Sequence, residues 1–331
     1  MHCGKRKPIT AALLASVLCM AATWVHAQAA DKSKWPQRLT LATGPVGGFG
    51  HTTGSPLASI VGAEIGLPIS VESTGGFPIN TLMVDDRKAD IGYSTTDVAY
   101  QGWQGAEWSK GKQARKLRAL MVLDANVLQV YAPARSGIKT MSNLAAKSVN
   151  PSRRRSATDL VLRDALEAVG VKPSRITNVS PSEANGLLGD GRLDVAAVMG
   201  SIPHPAVTEF EVNHDTMLVA FSDAEAKKYL EKAPFMSVFE IPAGTFKNQQ
   251  QPVRTVASYI MVVIRDDLPD SLAYALVKST FSKKEALAAA HKSFGRIDPK
   301  SIAQATVPVH PGAIKFYEEQ GVRIPDKRRA K

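Results

Sequence analysis

Three short apolar runs near the start of the chain each end in glycine or hydroxyl residues, and each precedes a helical pattern. The runs cover residues 39–42, 69–71 and 91–93. Short strands that alternate with helices through short loops are typical of a mostly parallel sheet with helices on both faces. The sequence therefore predicts an α/β fold in which neighbouring strands end at one common edge.

The turn at residues 43–54 contains four glycines within seven residues. Glycine lets the backbone approach a ligand closely, and the N–H groups at the start of the next helix, expected from Thr52, favour an anion. We predict that the N–H groups of Gly47 and Gly48 contact a ligand; a turn without a ligand is the alternative. The Gly-Lys-Ser/Thr of a Walker A loop and the spacing of a dinucleotide-binding turn are both missing.

The second and third strand ends carry side chains suited to the same site. Ser73 and Thr74 follow the second run, and Thr95 and Asp97 follow the third. Ligands of open α/β sheets bind in the crevice at the carboxyl ends of the strands. We therefore expect these side chains to contribute to one small-molecule site.

The second half of the chain repeats this alternation and adds a basic cluster. Three consecutive arginines precede a helix predicted over residues 156–169. Guanidinium groups bind carboxylates and phosphates bidentately, and a helix start adds N–H donors. We predict that this turn binds an anionic ligand; a solvated basic turn is the alternative. Ser201, after a strand predicted over residues 195–199, is a further candidate donor. The predicted anion contacts are Arg153, Arg154, Ser156 and Thr158.

The amino terminus has the pattern of a secretory signal peptide. Basic residues 5–7 precede an apolar run over 9–25 and small residues near 27–29. We expect residues 1–29 to be removed and the protein to reach the periplasm. Both cysteines, Cys3 and Cys19, lie in that segment, so the exported chain has neither a disulfide nor a cysteine nucleophile.

Charge limits the classes of partner. The net charge is +11, and loss of the three basic residues at 5–7 leaves +8. A basic exported protein is suited to an acidic ligand or an anionic surface. No nucleic-acid-binding motif is present, so we predict no nucleic-acid partner.

The sequence gives little support for catalysis. It contains neither a Gly-x-Ser-x-Gly nucleophile turn nor a His-Glu-x-x-His helix. The histidines at positions 51, 204, 214, 291 and 310 are too scattered for a metal motif. We predict no enzyme activity, metal or cofactor. A hydrolase or transferase on the same fold is the alternative, because the members of a catalytic triad need not be neighbours in sequence.

Two apolar runs, 117–123 and 127–132, lead from the first α/β half into the second. We predict two lobes joined by two crossings. Residues 30–130 and 237–331 would form lobe I, and residues 131–236 would form lobe II. Such lobes close on a ligand about a hinge.

Several motifs resemble one family along nearly the whole exported length. Residues 43–54 resemble a Thr-Gly-x-x-Gly-x-Tyr-Tyr-x-x-Gly turn, and 73–76 with Asn80 resemble Ser-Thr-Gly-Gly-x-x-x-Asn. Residues 310–321 resemble His-Pro-Gly-Ala-x-x-Tyr-Tyr-x-Glu-x-Gly. Further matches lie at 95–98, 191–194 and 241–246. On these motifs the chain resembles the TAXI-type solute receptors of tripartite ATP-independent periplasmic (TRAP) transporters. Phe49 and Gly50 replace the aromatic pair of that family, and the arginine triplet replaces its Gly-Ser-Gly-Thr.

The resemblance implies a type II periplasmic binding-protein fold with a hinged ligand cleft. It also implies capture of an organic acid, often glutamate or a dicarboxylate, for the membrane subunits of a TRAP permease. Through the matched motifs, Phe49 and Asn80 join the predicted ligand-binding residues. We expect a monomer. A sensor or the receptor of an ABC-type importer is the alternative within the same class of binding proteins.

Overall fold

The computed structural model describes residues 1–2, 32–44, 46, 49–106, 109–154 and 156–330. Residues 3–29 of the predicted signal peptide and two predicted ligand contacts, Gly47 and Gly48, lie outside these residues. The chain from Lys32 onward forms one compact unit. None of the helices in the described ranges combines the length and apolar character needed to traverse a bilayer.

The described strands form one continuous mixed sheet. Its order is β2-β1-β3-β10-β4-β7-β5-β6, with β8 beside β4 and β9 beside β10. The outer groups β2-β1-β3 and β7-β5-β6 are each parallel, whereas β4 and β10 run antiparallel to their neighbours. The strands are β1 Leu39–Ala42, β2 Ile69–Glu72, β3 Ile91–Thr95, β4 Leu117–Pro133, β5 Ser148–Asn150, β6 Arg175–Ile176, β7 Val195–Gly200, β8 Thr216–Leu218, β9 Ser237–Ile241 and β10 Val253–Arg265.

Helices connect the strands within both parallel groups and continue through the carboxyl-terminal part of the chain. They are α1 Phe49–Ile65, α2 Phe77–Asp85, α3 Thr96–Gln104, α4 Ala157–Val169, α5 Pro181–Gly189, α6 Pro205–Asn213, α7 Asp223–Lys232, α8 Asp270–Ser282, α9 Lys284–Ala290 and α10 Pro311–Glu319.

The two apolar runs at 117–123 and 127–132, which were predicted to lead from one half into the other, form one long strand, β4, that continues through the polar residues between them. In the structure they have polar partners: Asp124 pairs with Arg296, and the side-chain amide of Asn126 donates to the Ser258 hydroxyl at 3.4 Å. Polar residues that are satisfied by tertiary contacts do not end a strand.

The two central strands, β4 and β10, contribute residues to more than one hydrophobic core. The first core packs the β2-β1-β3 group against the carboxyl-terminal helices and includes Leu123 of β4 and Ile260 of β10. Val127 and Ala257, only a few residues away on the same two strands, belong to a different core that contains α5 and α6. The third core lies around α4 and α7. β4 and β10 therefore link separately packed halves, and the predicted lobe boundaries stay a prediction.

An aspartate before a strand has the same role in each parallel group. Asp90 precedes β3, and its carboxylate accepts the Thr40 N–H of β1 at 2.8 Å. Asp194 precedes β7 and accepts both the N–H (2.8 Å) and the hydroxyl (2.7 Å) of Ser148 on β5. Each aspartate also donates its own N–H to the carbonyl of the residue it holds. These clamps fix the register of neighbouring parallel strands at the edge opposite their carboxyl ends.

The charge state of Asp194 follows from this clamp. Burial by itself would raise the pKa of its carboxyl group. The hydrogen bonds from Ser148, together with the charges of Lys147 and Arg175, oppose burial and hold the pKa below its usual value. Asp194 is therefore ionised in the folded protein at neutral pH.

The carboxyl-terminal helix α10 begins at a buried histidine. The Nδ1 of His310 accepts the Gly312 N–H at 3.2 Å, and its Nε2–H donates to the Leu268 carbonyl at 3.1 Å. The contact with Gly312 requires the neutral imidazole, because a protonated Nδ1 cannot accept a hydrogen bond. Burial lowers the pKa of His310, and the charge of Asp270 only partly opposes this effect.

We expect His310 to make stability depend on pH in the mildly acidic range. The unfolded chain takes up a proton on this histidine below about pH 6.5, whereas the folded protein resists protonation. The unfolded state then binds more protons, so the free energy of unfolding falls as the pH decreases from 7.5 to 5.5, by at most about 1.4 kcal/mol per pH unit from this residue. Urea unfolding at several pH values measures the slope. His310→Asn, which keeps a cap acceptor but does not titrate, should show a smaller slope; an equal slope would contradict the assignment.

Candidate ligand-binding site

The register of β4 and β10 brings the carboxyl ends of both parallel groups to one place. Thr95, the last residue of β3, pairs with Ile260 of β10. Gly200, the last residue of β7, pairs with Val127 of β4, which itself pairs with Ala257 of β10. The two strand ends are thus displaced by only three residues along β10. We call the place where β4 and β10 pair between these two strand ends the β4–β10 crossing. The strand-end turns of the two halves flank it.

Asn80 joins the turns after β1 and β2 to strand β3. Its side-chain amide donates to the carbonyls of Thr43 (3.0 Å) and Tyr93 (2.9 Å), and its Oδ1 accepts the Thr74 hydroxyl. The residue is fully buried. The family resemblance predicted a ligand contact for Asn80, and this stays a prediction; in the structure its buried side chain supports these turns.

The Ser73 and Thr74 hydroxyls also have partners within these turns. The Ser73 hydroxyl donates to the Gly44 carbonyl at 2.9 Å, and the Thr74 Oγ1 accepts the Gly76 N–H at 3.1 Å. Ser73 is exposed and Thr74 is half-buried. Both side chains stabilise the turn after β2, so a ligand there would meet a preformed surface.

The first helix begins at Phe49, three residues before the predicted Thr52. Its second residue approaches the turn after β1 closely: a Cβ on Gly50 would lie 2.3 Å from the Thr43 carbonyl oxygen, so only glycine fits. The Thr53 hydroxyl donates to the Phe49 carbonyl at 2.6 Å and supports the first turn. The Phe49 ring packs edge-to-face on His291, with centroids 5.7 Å apart.

The turn after β3 carries an unusual carboxyl group. Thr95 is buried and precedes α3, and Asp97 lies in the first turn of that helix. The Asp97 Oδ1 is buried and, within the described residues, has no hydrogen-bond partner. Burial raises the pKa of Asp97, while the nearby hydroxyls of Thr95 and Ser258 partly oppose that rise. This carboxyl group therefore retains its proton to a higher pH than an exposed aspartate does.

The predicted basic turn lies at the start of α4. Ser156 caps the helix by accepting the Asp159 N–H at 3.2 Å, and the buried Thr158 hydroxyl accepts the Met199 N–H of β7 at 3.0 Å. The structure thus joins this turn to the end of β7. Arg153 and Arg154 are exposed, and in the described part of the chain neither guanidinium has a carboxylate partner. Both remain available for an anion.

The loop after β7 is fixed by a buried glutamine that sequence reasoning did not identify. The Gln129 side chain on β4 donates to the Ser201 carbonyl at 3.3 Å and accepts the His204 N–H at 3.0 Å. Ser201 is half-buried. Among the described residues its hydroxyl makes no hydrogen bond that a ligand would have to replace. Burial lowers the pKa of His204, so its ring is neutral at pH 7.

Sequence reasoning also missed a group of residues that adjoin the first turn. His291 contacts Phe49, and Arg296 and Asp124 form an ion pair close by. The Tyr259 N–H donates to the Thr96 hydroxyl at 3.0 Å, which places Tyr259 beside the start of α3. No local motif could reveal this group, because its members are far apart in sequence.

The described residues contain no group of three or more histidine, cysteine, aspartate or glutamate side chains arranged to hold a metal ion. What the arrangement offers is a set of hydrogen-bond donors and positive charges. It can bind a small polar solute, with the firmest recognition expected for an anion.

Comparison with known proteins identifies the family and the fold. A model described as the NMT1-like family matches residues 41–321. A TctC solute binding protein from Polaromonas is similar at 15% identity over 78% of this chain and 88% of that chain, with a TM-score of 0.56. MatC from Rhodopseudomonas palustris with bound malate is similar at 11% identity over 86% of this chain and 96% of that chain, with a TM-score of 0.49. The periplasmic aliphatic sulphonate binding protein SsuA from Escherichia coli is similar at 16% identity over 88% of this chain and 95% of that chain, with a TM-score of 0.46. The TctC match confirms the predicted periplasmic binding-protein fold.

Proposed function

The chain belongs to the NMT1-like family, and from this membership, its fold and its strand-end site we propose that it is a receptor for a small organic acid. One observation carries the proposal: the strand ends of both parallel groups meet at the β4–β10 crossing, and the turn before α4 carries two exposed arginines that have no carboxylate partner in the described part of the chain. Unpaired guanidinium groups at a helix start are strong donors for a carboxylate.

In the proposed mechanism, the two halves close on the ligand about β4 and β10. Arg153 and Arg154 bind its carboxylate, and the turns after β1, β2 and β3 contact the remainder. Closure excludes water, which strengthens each polar contact. An analogue that leaves a buried polar group unpaired then binds weakly.

The finer proposal concerns the transport system. The motifs at 43–54 and 310–321 support a TAXI-type receptor that works in the periplasm and delivers its ligand to the membrane subunits of a TRAP permease. A receptor returns its ligand unchanged, so we propose no catalytic step. Genes for a multi-spanning permease beside the gene for this chain would support this assignment. Genes for an ATP-driven importer would favour an ABC-type receptor.

We expect a thermal-shift screen in low salt to identify the ligand class. A ligand present at 100 times its dissociation constant adds about 2.7 kcal/mol to the free energy of unfolding. Amino acids, mono- and dicarboxylates, 2-oxo acids and neutral sugars form the panel. An acidic class should raise the melting temperature.

Arg154→Ala should weaken the binding of that acid about tenfold or more, because a charge-assisted hydrogen bond contributes about 1.5–3 kcal/mol. Arg323→Ala, which removes another exposed arginine, is the matched control and should bind normally. Equal affinity of the wild type and Arg154→Ala for every acid would disprove the arginine contact. Binding of neutral sugars alone would disprove the receptor proposal in its anionic form.

A further inference from the structure

Another arginine, Arg296, lies on the opposite side of the crossing from Arg153 and Arg154, and an ion pair holds it rigidly. Arg296 ends the 3₁₀ turn Lys292–Arg296. Its Nε donates to the Asp124 Oδ1 at 3.1 Å, and its Nη2 donates to Oδ2. This bidentate geometry fixes the plane of the guanidinium group.

The two partners differ in exposure. The Asp124 side chain is 8% exposed, whereas that of Arg296 is 38% exposed. The Asp124 Oδ1 also accepts the Ala125 N–H at 2.9 Å, so its charge is satisfied within the protein. A guanidinium group has five N–H donors, and Asp124 uses two of them. The Nη1 edge of Arg296 has no acceptor in the described part of the chain.

The position of the pair connects it with the candidate site. Asp124 lies on β4 immediately before Ala125, which pairs with Tyr259 of β10. The Tyr259 N–H bonds Thr96 at the start of α3. On the other side, His291 contacts Phe49 at the start of α1. The pair therefore lies between the turns that follow β1 and β3.

Electrostatics support this proximity. The pKa of His291 is lowered mainly by burial. The positive charges of Lys292 and Arg296 lower it further, and the charge of Asp124 opposes them. The histidine that touches Phe49 is thus within electrostatic range of both members of the pair.

A fixed arginine binds an anion with little loss of conformational freedom, because its side chain is already ordered. The pairing with Asp124 explains why the group is ordered, and the open Nη1 edge explains how it can still bind. From this geometry we infer that Arg296 is a specificity residue that binds a second anionic group of the ligand. The inference rests on the proposed receptor function and deepens it: it assigns to Arg296 the preference for an acid with two anionic groups, a ligand class that the resemblance to TAXI-type receptors already implies.

The test compares straight-chain dicarboxylates of four to six carbons with monocarboxylates of equal length, by calorimetric titration of the full exported chain. Wild type should bind one dicarboxylate at least tenfold more tightly than its monocarboxylate. The double variant Asp124→Asn with Arg296→Gln removes the pair without leaving a buried charge. It should lose at least tenfold in dicarboxylate affinity and keep its monocarboxylate affinity.

A matched control separates binding from folding. Arg265 and Asp90 form another partly buried ion pair, at 2.8 Å, at the opposite end of β3 and β10. The variant Asp90→Asn with Arg265→Gln should keep the ratio of the two affinities. An unchanged ratio in the Asp124–Arg296 variant would overturn only the role of Arg296, as would a wild type that binds both acids equally. A wild type that binds no acid of any kind would overturn the proposed function together with this inference.

Discussion

Asn80→Ala is expected to lower the free energy of unfolding by about 4 kcal/mol. The substitution removes hydrogen bonds to the carbonyls of Thr43 and Tyr93 and to the Thr74 hydroxyl. Each buried polar group left without a partner costs about 1–3 kcal/mol. Because these groups belong to the turns after β1 and β2 and to strand β3, ligand affinity should fall as well. Urea unfolding and calorimetric titration measure the two effects.

Asn185→Ala is the matched control for Asn80→Ala. The Asn185 amide donates to the Ala206 carbonyl at 2.8 Å, and its Oδ1 accepts the Tyr131 hydroxyl. It is buried in the core around α5 and α6. We expect a comparable loss of stability with unchanged ligand affinity for the folded protein. A loss below about 1 kcal/mol for Asn80→Ala would show that Asn80 does not hold the turns together.

Gly50→Ala should lower the free energy of unfolding by about 3 kcal/mol, because the added methyl group overpacks a rigid contact. Its Cβ would lie 2.3 Å from the Thr43 carbonyl oxygen, and a backbone atom cannot move aside as a flexible side chain can. Helix α1 would have to shift away from β1. The shift would also displace Phe49 and weaken binding. The midpoint of urea unfolding measures the effect.

Gly186→Ala makes the same chemical change as Gly50→Ala but should raise the free energy of unfolding. Gly186 lies inside α5, and a Cβ there would meet no atom within 4 Å. Alanine at an unstrained helical position adds about 0.4–1 kcal/mol to stability, chiefly because the unfolded chain loses freedom. A similar destabilisation at both glycines would mean that the contact with Thr43 is not the cause at position 50.

Local patterns in the sequence predicted most of the fold. Short apolar runs followed by glycine or hydroxyl residues correctly located β1, β2 and β3 and the helices after them. The helix predicted over residues 156–169 and the strand predicted over residues 195–199 coincide with α4 and β7 to within one residue. These elements have their own turn and cap residues, so their boundaries are encoded locally. The predicted periplasmic binding-protein fold is confirmed.

Contacts between distant residues decide what local patterns leave open. Asp124 and Asn126, in the middle of β4, have partners that come from other parts of the chain. Helix α1 begins at Phe49, before the predicted Thr52, and Gly50 in its first turn packs against Thr43. In both cases tertiary packing decides, and a local pattern cannot show it.

The candidate site was predicted in part. Sequence reasoning selected the turn residues themselves, and the structure joins Thr158 to the end of β7 and Thr74 to Asn80. A motif does not distinguish a residue that touches a ligand from one that positions a turn, so the role assigned to Asn80 stays a prediction. Sequence reasoning did not select the Arg296–Asp124 pair, whose members are separated by 172 positions in the chain. The roles of the individual ligand contacts stay predictions.

The central claim is that the chain binds a small organic acid reversibly at the β4–β10 crossing and leaves it unchanged. Calorimetric titration of the exported chain with the acid found by the thermal-shift screen, followed by NMR analysis of the solute recovered after the protein is unfolded, tests this claim most directly. We expect one molecule bound per chain, weaker binding by Arg154→Ala, and recovery of the intact acid. A chemically altered solute would show an enzyme in place of a receptor. Binding that Arg154→Ala, Gly50→Ala and Asn80→Ala all leave unchanged would place the ligand elsewhere.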